Sequence, residues 1–339
     1  MPVPNTSRTG ILLLASILFA LVLAEIVLRA IGYSPWRPAE AVHLQVESTE
    51  AFFGTDPLLG FALVTDRAKI SVNALTFEVN HDRLRLDDST EVLYRRSPGA
   101  NKGGDTVWVF GGSYTYGWGV SNSETYSNVL GEELGIFVRN FAVPAYGTLQ
   151  STLQLNSLLK SLDETPSLVV FAHAPFHAER NVGARSWLKT LSAYNSLGDI
   201  NLPALRPDES DQLRYIDLNY FGVPFIEYFA LPNAIDDALN QLTDDRQQDL
   251  EILQTLLVQM AESCRQKNIR FVVLNLVTDV SSAEVFSTLS DQEIPFADVT
   301  VDLRIQENTL LPADSHPSAR AHRQFAALAV DSVRQWLGR

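Results

Sequence analysis

The feature that most limits the fold of this chain lies after Asp105, where five apolar runs of strand character alternate with longer stretches of helical period. The runs are VWVFG (Val107–Gly111), VRNFAV (Val138–Val143), LVVFAHA (Leu168–Ala174), IRFVVLNLV (Ile269–Val277) and ADVTVDL (Ala297–Leu303). Helical spacing of apolar residues marks Glu124–Leu134, Leu149–Leu162, Asp245–Gln266, Ser282–Leu289 and Pro317–Leu337. A strand, a helix and a further strand make a crossover to a parallel neighbour. The pattern therefore predicts an α/β fold with a central, mostly parallel sheet covered by helices on both faces. Ligands of such sheets sit outside the carboxyl ends of the strands. Ser113 falls there, in VWVFGGSYTYGWGV (Val107–Val120).

At 339 residues and 46% hydrophobic content, the chain is large enough for one catalytic-size domain with a filled core and an appended segment. A net charge of -14, with no basic run longer than Arg95-Arg96, excludes nucleic acid as a partner. The single cysteine, Cys264, cannot form an intramolecular disulfide and reads as a buried structural thiol within a helix. Gly112 to Gly117 has the glycine spacing of a phosphate loop, but Trp118 stands where the lysine belongs. No cofactor is expected. A G-x-S-x-G nucleophile elbow also fails, because Thr115 holds the last glycine position.

The stretch Gly10–Ile31 is long and apolar enough to cross a hydrocarbon core of about 30 Å as a helix. Small residues before Glu25 also fit a signal-peptidase site, so an uncleaved anchor and a cleaved signal compete. Either reading puts the body of the protein outside the cytoplasm. The chain divides into a tail (1–9), the anchor or signal (10–31), a β-rich accessory segment (32–104) and the main domain (105–339). Within the accessory segment, Lys69–Val79 alternates loosely and Ser97–Asp105 reads as a loop. Region 180–244 departs from the strand–helix alternation and is dense in aromatics, among them Trp187, Tyr194, Tyr215, Phe221, Phe225 and Phe229. It reads either as a lid over a site or as packing against the accessory segment.

A serine nucleophile needs a base within hydrogen-bond reach and a third group to orient that base. Of six histidines, one sits in a short loop with a carboxylate at hand: in PADSHPSARAHRQFAALA (Pro312–Ala329), Asp314 precedes His316 by two residues. A residue before proline is held extended, and in extended chain residues i and i+2 share a side, so Asp314 can reach the Nδ1 side of His316. Pro317 is expected at the first helical position. By itself Asp-Ser-His-Pro is also an ordinary helix start. His173 and His177 stand four apart, but Ala174 replaces the glutamate of H-E-x-x-H and the segment begins as a strand, so no metal site is expected.

Together, FGGSYTYGWGV near the start of the main domain and DSHPSA near its end resemble the first and last blocks of the SGNH (GDSL-type) hydrolases, in particular their membrane-anchored bacterial branch. The phrase DPLLG (Asp56–Gly60), in the β-rich segment, is similar to that branch's DPxLG. The resemblance covers nearly the whole chain and implies a flavodoxin-like three-layer sandwich. It implies a single-pass protein of the bacterial inner membrane, with its main domain in the periplasm or outside the cell. It further implies a Ser113 nucleophile, a His316 base and an Asp314 partner, with the N–H groups of Ser113 and of the block NFAVPAYGTLQ (Asn140–Gln150) forming the oxyanion hole. The two glycines of that block are Ala145 and Gly147 here. The implied function is an esterase or O-acyltransferase acting on a small-molecule or glycan ester.

Two positions depart from the family pattern. The aspartate of G-D-S is Gly112, and the oxyanion asparagine expected after Leu168–Ala174 is replaced by Phe176 and His177, leaving His177 or Asn181 as substitute donors. Losing one such donor typically costs about 100- to 1000-fold in rate. The competing expectation is therefore a catalytically degenerate member that binds an envelope glycan. An unrelated α/β hydrolase would carry its acid well upstream of the histidine. Oligomeric state has no signature in the sequence.

Overall fold

The computed structural model describes residues 6–37, 44–86, 90–98, 105–162, 164–206 and 209–339. The N-terminal helix α1 (Thr6–Ala30) leads to six short strands, β1 (Leu44–Ser48), β2 (Phe53–Asp56), β3 (Gly60–Leu63), β4 (Arg67–Val72), β5 (Leu75–Arg85) and β6 (Glu91–Arg95). The main body follows with β7 (Thr106–Phe110), the single turn α2 (Ser113–Tyr116), α3 (Tyr126–Leu134), β8 (Phe137–Asn140), α4 (Thr148–Ser161) and β9 (Leu168–His173). Next come α5 (His177–Val182), α6 (Arg185–Ser192), β10 (Asn201–Arg206), β11 (Glu209–Asp217) and α7 (Ala230–Thr243). The chain ends through α8 (Arg246–Gln266), β12 (Arg270–Asn275), α9 (Ser282–Asp291), β13 (Phe296–Asp298) and α10 (Ala319–Leu337).

All five strands expected after Asp105 are present, in the parallel order β8-β7-β9-β12-β13. In order of appearance this is 2-1-3-4-5, the flavodoxin-like arrangement, whose ligand crevice opens between the first strand and the third, here β7 and β9. Strand β7 explains the layers. Successive side chains point to opposite faces, so Val107 and Val109 meet Leu130 of α3 and Phe325 of α10. Trp108 and Phe110 turn the other way, into a core with Leu155 and Leu158 of α4 and Leu253 of α8. Cys264 is buried in that second core, and burial pushes its thiol up to about 12.

Three of the boundaries that differ from the sequence pattern have a side-chain reason. Strand β8 stops at Asn140, whose Oδ1 accepts from the Ala142 N–H while its Nδ2 donates to Thr115 O. Strand β13 stops at Asp298, whose carboxylate takes the N–H of Thr300 in an Asx turn. Helix α10 begins at Ala319 and not at Pro317: Ser318 is the N-cap, its Oγ accepting from Ala321 N–H, while Pro317 pairs with Thr309 in an isolated β-bridge.

The β-rich segment is continuous with the main sheet. Strands β1, β4, β5 and β6 form an antiparallel meander joined to β8 through Arg95 and Asn140, which brings the sheet to nine strands. Of the expected loop Ser97–Asp105, residues 99–104 lie outside the described residues. The aromatic-rich region packs against this segment: Ile200, Leu202 and Leu218 share a core with Phe52 and Phe61, and Tyr215 Oη donates to Leu58 O. Helix α1 contains an apolar stretch, Thr9–Ala30, with mean hydropathy 2.9 and none of it buried. Its last turns touch the body, where Glu25 accepts from the N–H groups of Ala230 and Leu231 at the start of α7.

Candidate active site

Ser113 is delivered by a bend that only glycine can make. Gly111 has φ +154°, and a Cβ there would stand 2.6 Å from Thr115 Oγ1 and 3.1 Å from Ala172 O. The chain then winds one turn of helix with Ser113 first, so the Ser113 N–H has no intrahelical acceptor. Beneath it the buried Arg95 guanidinium gathers the carbonyls of Tyr116, Gly117 and Val120, fixing the loop that follows.

The second arm comes from the loop before α10, where Leu310 N–H donates to His316 O and Ser318 N–H to Asn308 O. Asp314 Oδ1 accepts from the His316 backbone N–H at 2.8 Å and from His316 Nδ1 at 2.5 Å. With Nδ1 donating, Nε2 is the acceptor, and it lies 2.9 Å from Ser113 Oγ. Burial by itself would push the Asp314 carboxyl up. The hydrogen bonds from the His316 ring, its backbone N–H and the Trp118 indole outweigh it and hold the carboxyl below its ordinary value.

Trp118, from the GWGV tail, donates its Nε1–H to Asp314 Oδ2 at 3.2 Å. It packs edge-on to Phe77 of β5. Asn73, at the tip of the β4–β5 hairpin, donates Nδ2–H to Ala313 O at 2.7 Å. Thus the β-rich segment braces the loop carrying Asp314. The DPLLG phrase has a related use: Asp56 closes an Asx turn onto the N–H groups of Leu58 and Leu59, and Leu59 O and Phe61 O then accept from Gln150 Nε2 and Tyr146 Oη.

Ala145, the first of the two block positions, adopts φ +72°, the left-handed geometry that glycine takes easily and that suits this bend. Its N–H meets no acceptor among the described residues, and the residue is partly exposed. Gly147 differs from expectation. Its N–H donates to Gln150 Oε1 at 3.0 Å, closing the start of α4, and is not free to serve as a second oxyanion donor. Asn181 is engaged through its oxygen only: it is fully buried, its Oδ1 accepts from Leu149 N–H at 2.8 Å, and its Nδ2 is enclosed without a partner among the described residues.

His177 takes a different position. Its Nδ1 accepts from Ala174 N–H at 3.3 Å, which leaves the ring proton on Nε2. That nitrogen is 3.0 Å from the point a Cβ on Gly112 would occupy. Burial, with Arg180 and His173 adding to it, depresses the His177 pKa well below 6.5, so the ring is a neutral Nε2–H donor. Arg180, which nothing in the sequence singled out, packs beside it. The Arg180 guanidinium lies 4.4 Å from the ring centres of both Phe176 and Trp187 and donates to Tyr146 O at 2.9 Å. Burial lowers its pKa to about 10, which keeps it cationic at neutral pH. Phe176 is thus one wall of a cation–π sandwich.

No family model matches the sequence, and no curated protein matches it. Several solved structures do match in chain course. TesA is 14% identical, with 68% of this chain and 99% of that one covered and a TM-score of 0.40. The esterase EstA from Pseudoalteromonas sp. is 11% identical, with 69% and 100% covered and a TM-score of 0.40. A carbohydrate acetylesterase family member from Sinorhizobium meliloti is 13% identical, with 69% and 100% covered and a TM-score of 0.39.

Proposed function

We propose that this chain is a serine esterase or O-acyltransferase of the SGNH kind, exported and held in the bacterial inner membrane by α1. The observation that carries the reading is the continuous line from Asp314 Oδ1 through His316 to Ser113 Oγ, with contacts of 2.5 and 2.9 Å. In the forward step Ser113 Oγ attacks the ester carbonyl as its proton passes to His316 Nε2. Asp314 stabilises the resulting imidazolium. The carbonyl oxygen gains negative charge and is held by the N–H groups of Ser113 and Ala145 and by His177 Nε2–H. The imidazolium then gives its proton to the departing alcohol. Water or a second alcohol, deprotonated by the same Nε2, releases the acyl group and restores the serine.

Envelope O-acetyl groups or lipid esters suit the proposed location. A second reading, a degenerate protein that binds an envelope glycan in the same cleft, draws on the absence of the family aspartate and asparagine at Gly112 and Phe176. The two separate in one experiment on the full chain in detergent. On the enzyme reading, a fluorophosphonate probe forms an adduct on the peptide containing Ser113, and p-nitrophenyl acetate turnover falls to background in Ser113→Ala. Absence of both the adduct and the turnover would leave the binding reading.

A further inference from the structure

Helix α7 is built inside out. Its buried side carries Asn233, Asp236 and Asn240, while Ile235, Leu239 and Leu242, spaced four and three apart on one stripe, face outward, with Leu242 82% exposed. The buried polar groups are fully occupied. Lys189 Nζ reaches Asn233 and Asp236, Asn233 Nδ2 donates to Ser34 O, and Asn240 shares a hydrogen bond with Tyr220. The loop leading into α7 adds Phe221 at 77% exposure, Phe225 at 67% and Tyr228 at 65%. Phe225 has φ +72°, a left-handed conformation that a bulky residue adopts only under strain, and its ring stays mostly exposed.

This surface adjoins the end of α1. Glu25 takes the first two N–H groups of α7, Arg29 donates to Tyr228 O, and Trp36 N–H donates to Ile226 O. Glu25 precedes the end of the apolar run at Ile31 by six residues, about 9 Å of helix rise. Over that rise Ile26, Val27 and Ile31 still face outward. The loop and the start of α7 are therefore level with the last turns of the apolar helix and not above them.

We infer that the Phe221–Phe229 loop and the outer stripe of α7 lie in the interface of the bilayer that holds α1, so that the body rests on lipid as well as hanging from its anchor. Aromatic rings flanking a span collect at headgroup level, and an apolar helix face buries its side chains at the acyl boundary. With a net charge of -14, the chain gains nothing from anionic headgroups, so contact with lipid depends on this apolar surface.

The inference rests on the anchor part of the proposed function, and the test separates the two. The full chain is reconstituted in phosphatidylcholine–phosphatidylglycerol vesicles with a nitroxide on Phe225→Cys, on Ile235→Cys, or on the control Leu328→Cys. Leu328 is an exposed apolar position on α10, across the central sheet from α8. Native Cys264 is buried and stays unlabelled. Labels at 225 and 235 are expected to be several-fold more accessible to oxygen than to a water-soluble nickel chelate, relative to the label at 328. Carbonate-resistant membrane association with water-like accessibility at 225 and 235 would overturn the inference and leave the anchor intact. Dipolar broadening between labels at 225 would assign the surface to a second copy of the chain and also overturn it. Release of the chain by carbonate would remove the anchor and the inference together.

Discussion

A side chain at position 112 would press on its neighbours, since its Cβ would stand 3.0 Å from His177 Nε2, 3.1 Å from Arg180 Nη1 and 3.2 Å from Tyr146 O. Gly112 therefore makes room beside Ser113 for the His177 ring and the Arg180 guanidinium. It follows that His177→Ala should lower kcat by about 100- to 1000-fold with little change in KM, the effect of removing one oxyanion donor. His177→Gln, which retains an N–H donor, should recover part of that loss. Gly112→Asp should not repair the site and should reduce activity, because the carboxylate would displace His177. Steady-state kinetics on p-nitrophenyl acetate read all three. Activity of His177→Ala equal to that of the parent would remove His177 from the oxyanion site.

Among the elements, α6 and α7 are held together by two cations on α6: Arg185, which donates Nε–H to Asn240 Oδ1 at 3.0 Å and lies 3.8 Å from Asp236, and the buried Lys189. Lys189 on α6 reaches Asn233 Oδ1 at 2.6 Å, Asp236 Oδ2 at 2.8 Å and Asp237 Oδ1 at 2.6 Å, and Asp236 is fully buried. Breaking a buried pair by removing one partner leaves an uncompensated charge and costs about 3–5 kcal/mol. Lys189→Met should therefore lower the denaturation midpoint of the full chain substantially, and Lys189→Arg should lower it less. A Lys189→Met midpoint within error of the parent would show that Asp236 finds other compensation. The same arrangement explains why α7 was not legible in the sequence. Hydrophobic periodicity assumes apolar residues inside, and here Asn233, Asp236 and Asn240 are inside while Ile235, Leu239 and Leu242 are out.

Across the whole molecule, the parallel half was readable because β7, β8, β9, β12 and β13 and the helices α3, α4, α8, α9 and α10 that cover them follow the ordinary rule of apolar residues inward. The relation of Ser113 to His316, 203 residues apart, was readable from two short blocks. The brace was not. Trp118 on Asp314, Asn73 on the Ala313 carbonyl and Arg180 beside Gly112 join positions distant in sequence through single hydrogen bonds or close packing that no periodicity records. The fusion of the β-rich strands to β8 hangs on the pairing of Arg95 with Asn140. Such a scaffold also buries titratable groups. Burial depresses the pKa of His81 and His173 to about 4 and of His322 to about 3, and that of His177 well below 6.5. Between pH 6.5 and 4 the unfolded chain binds protons on these histidines and the folded chain does not, so stability falls as pH falls through that window. At 1.36 kcal/mol per pH unit, each histidine contributes at most about 2 kcal/mol of loss between pH 6.5 and 5. Asp249 and Glu179 act in the opposite sense: burial raises both carboxyls, that of Asp249 to about 7, so they favour the folded state as pH falls, but they are two groups against four and partly screened by solvent. Guanidinium denaturation of the full chain in detergent, followed by tryptophan fluorescence, should give a lower midpoint at pH 5 than at pH 7. His322→Gln, which removes a ring stacked on Tyr126 that cannot be protonated in place, should flatten that difference whatever it does to the midpoint at pH 7. A midpoint that rises on acidification would mean that the buried histidines do not set the pH response of the fold.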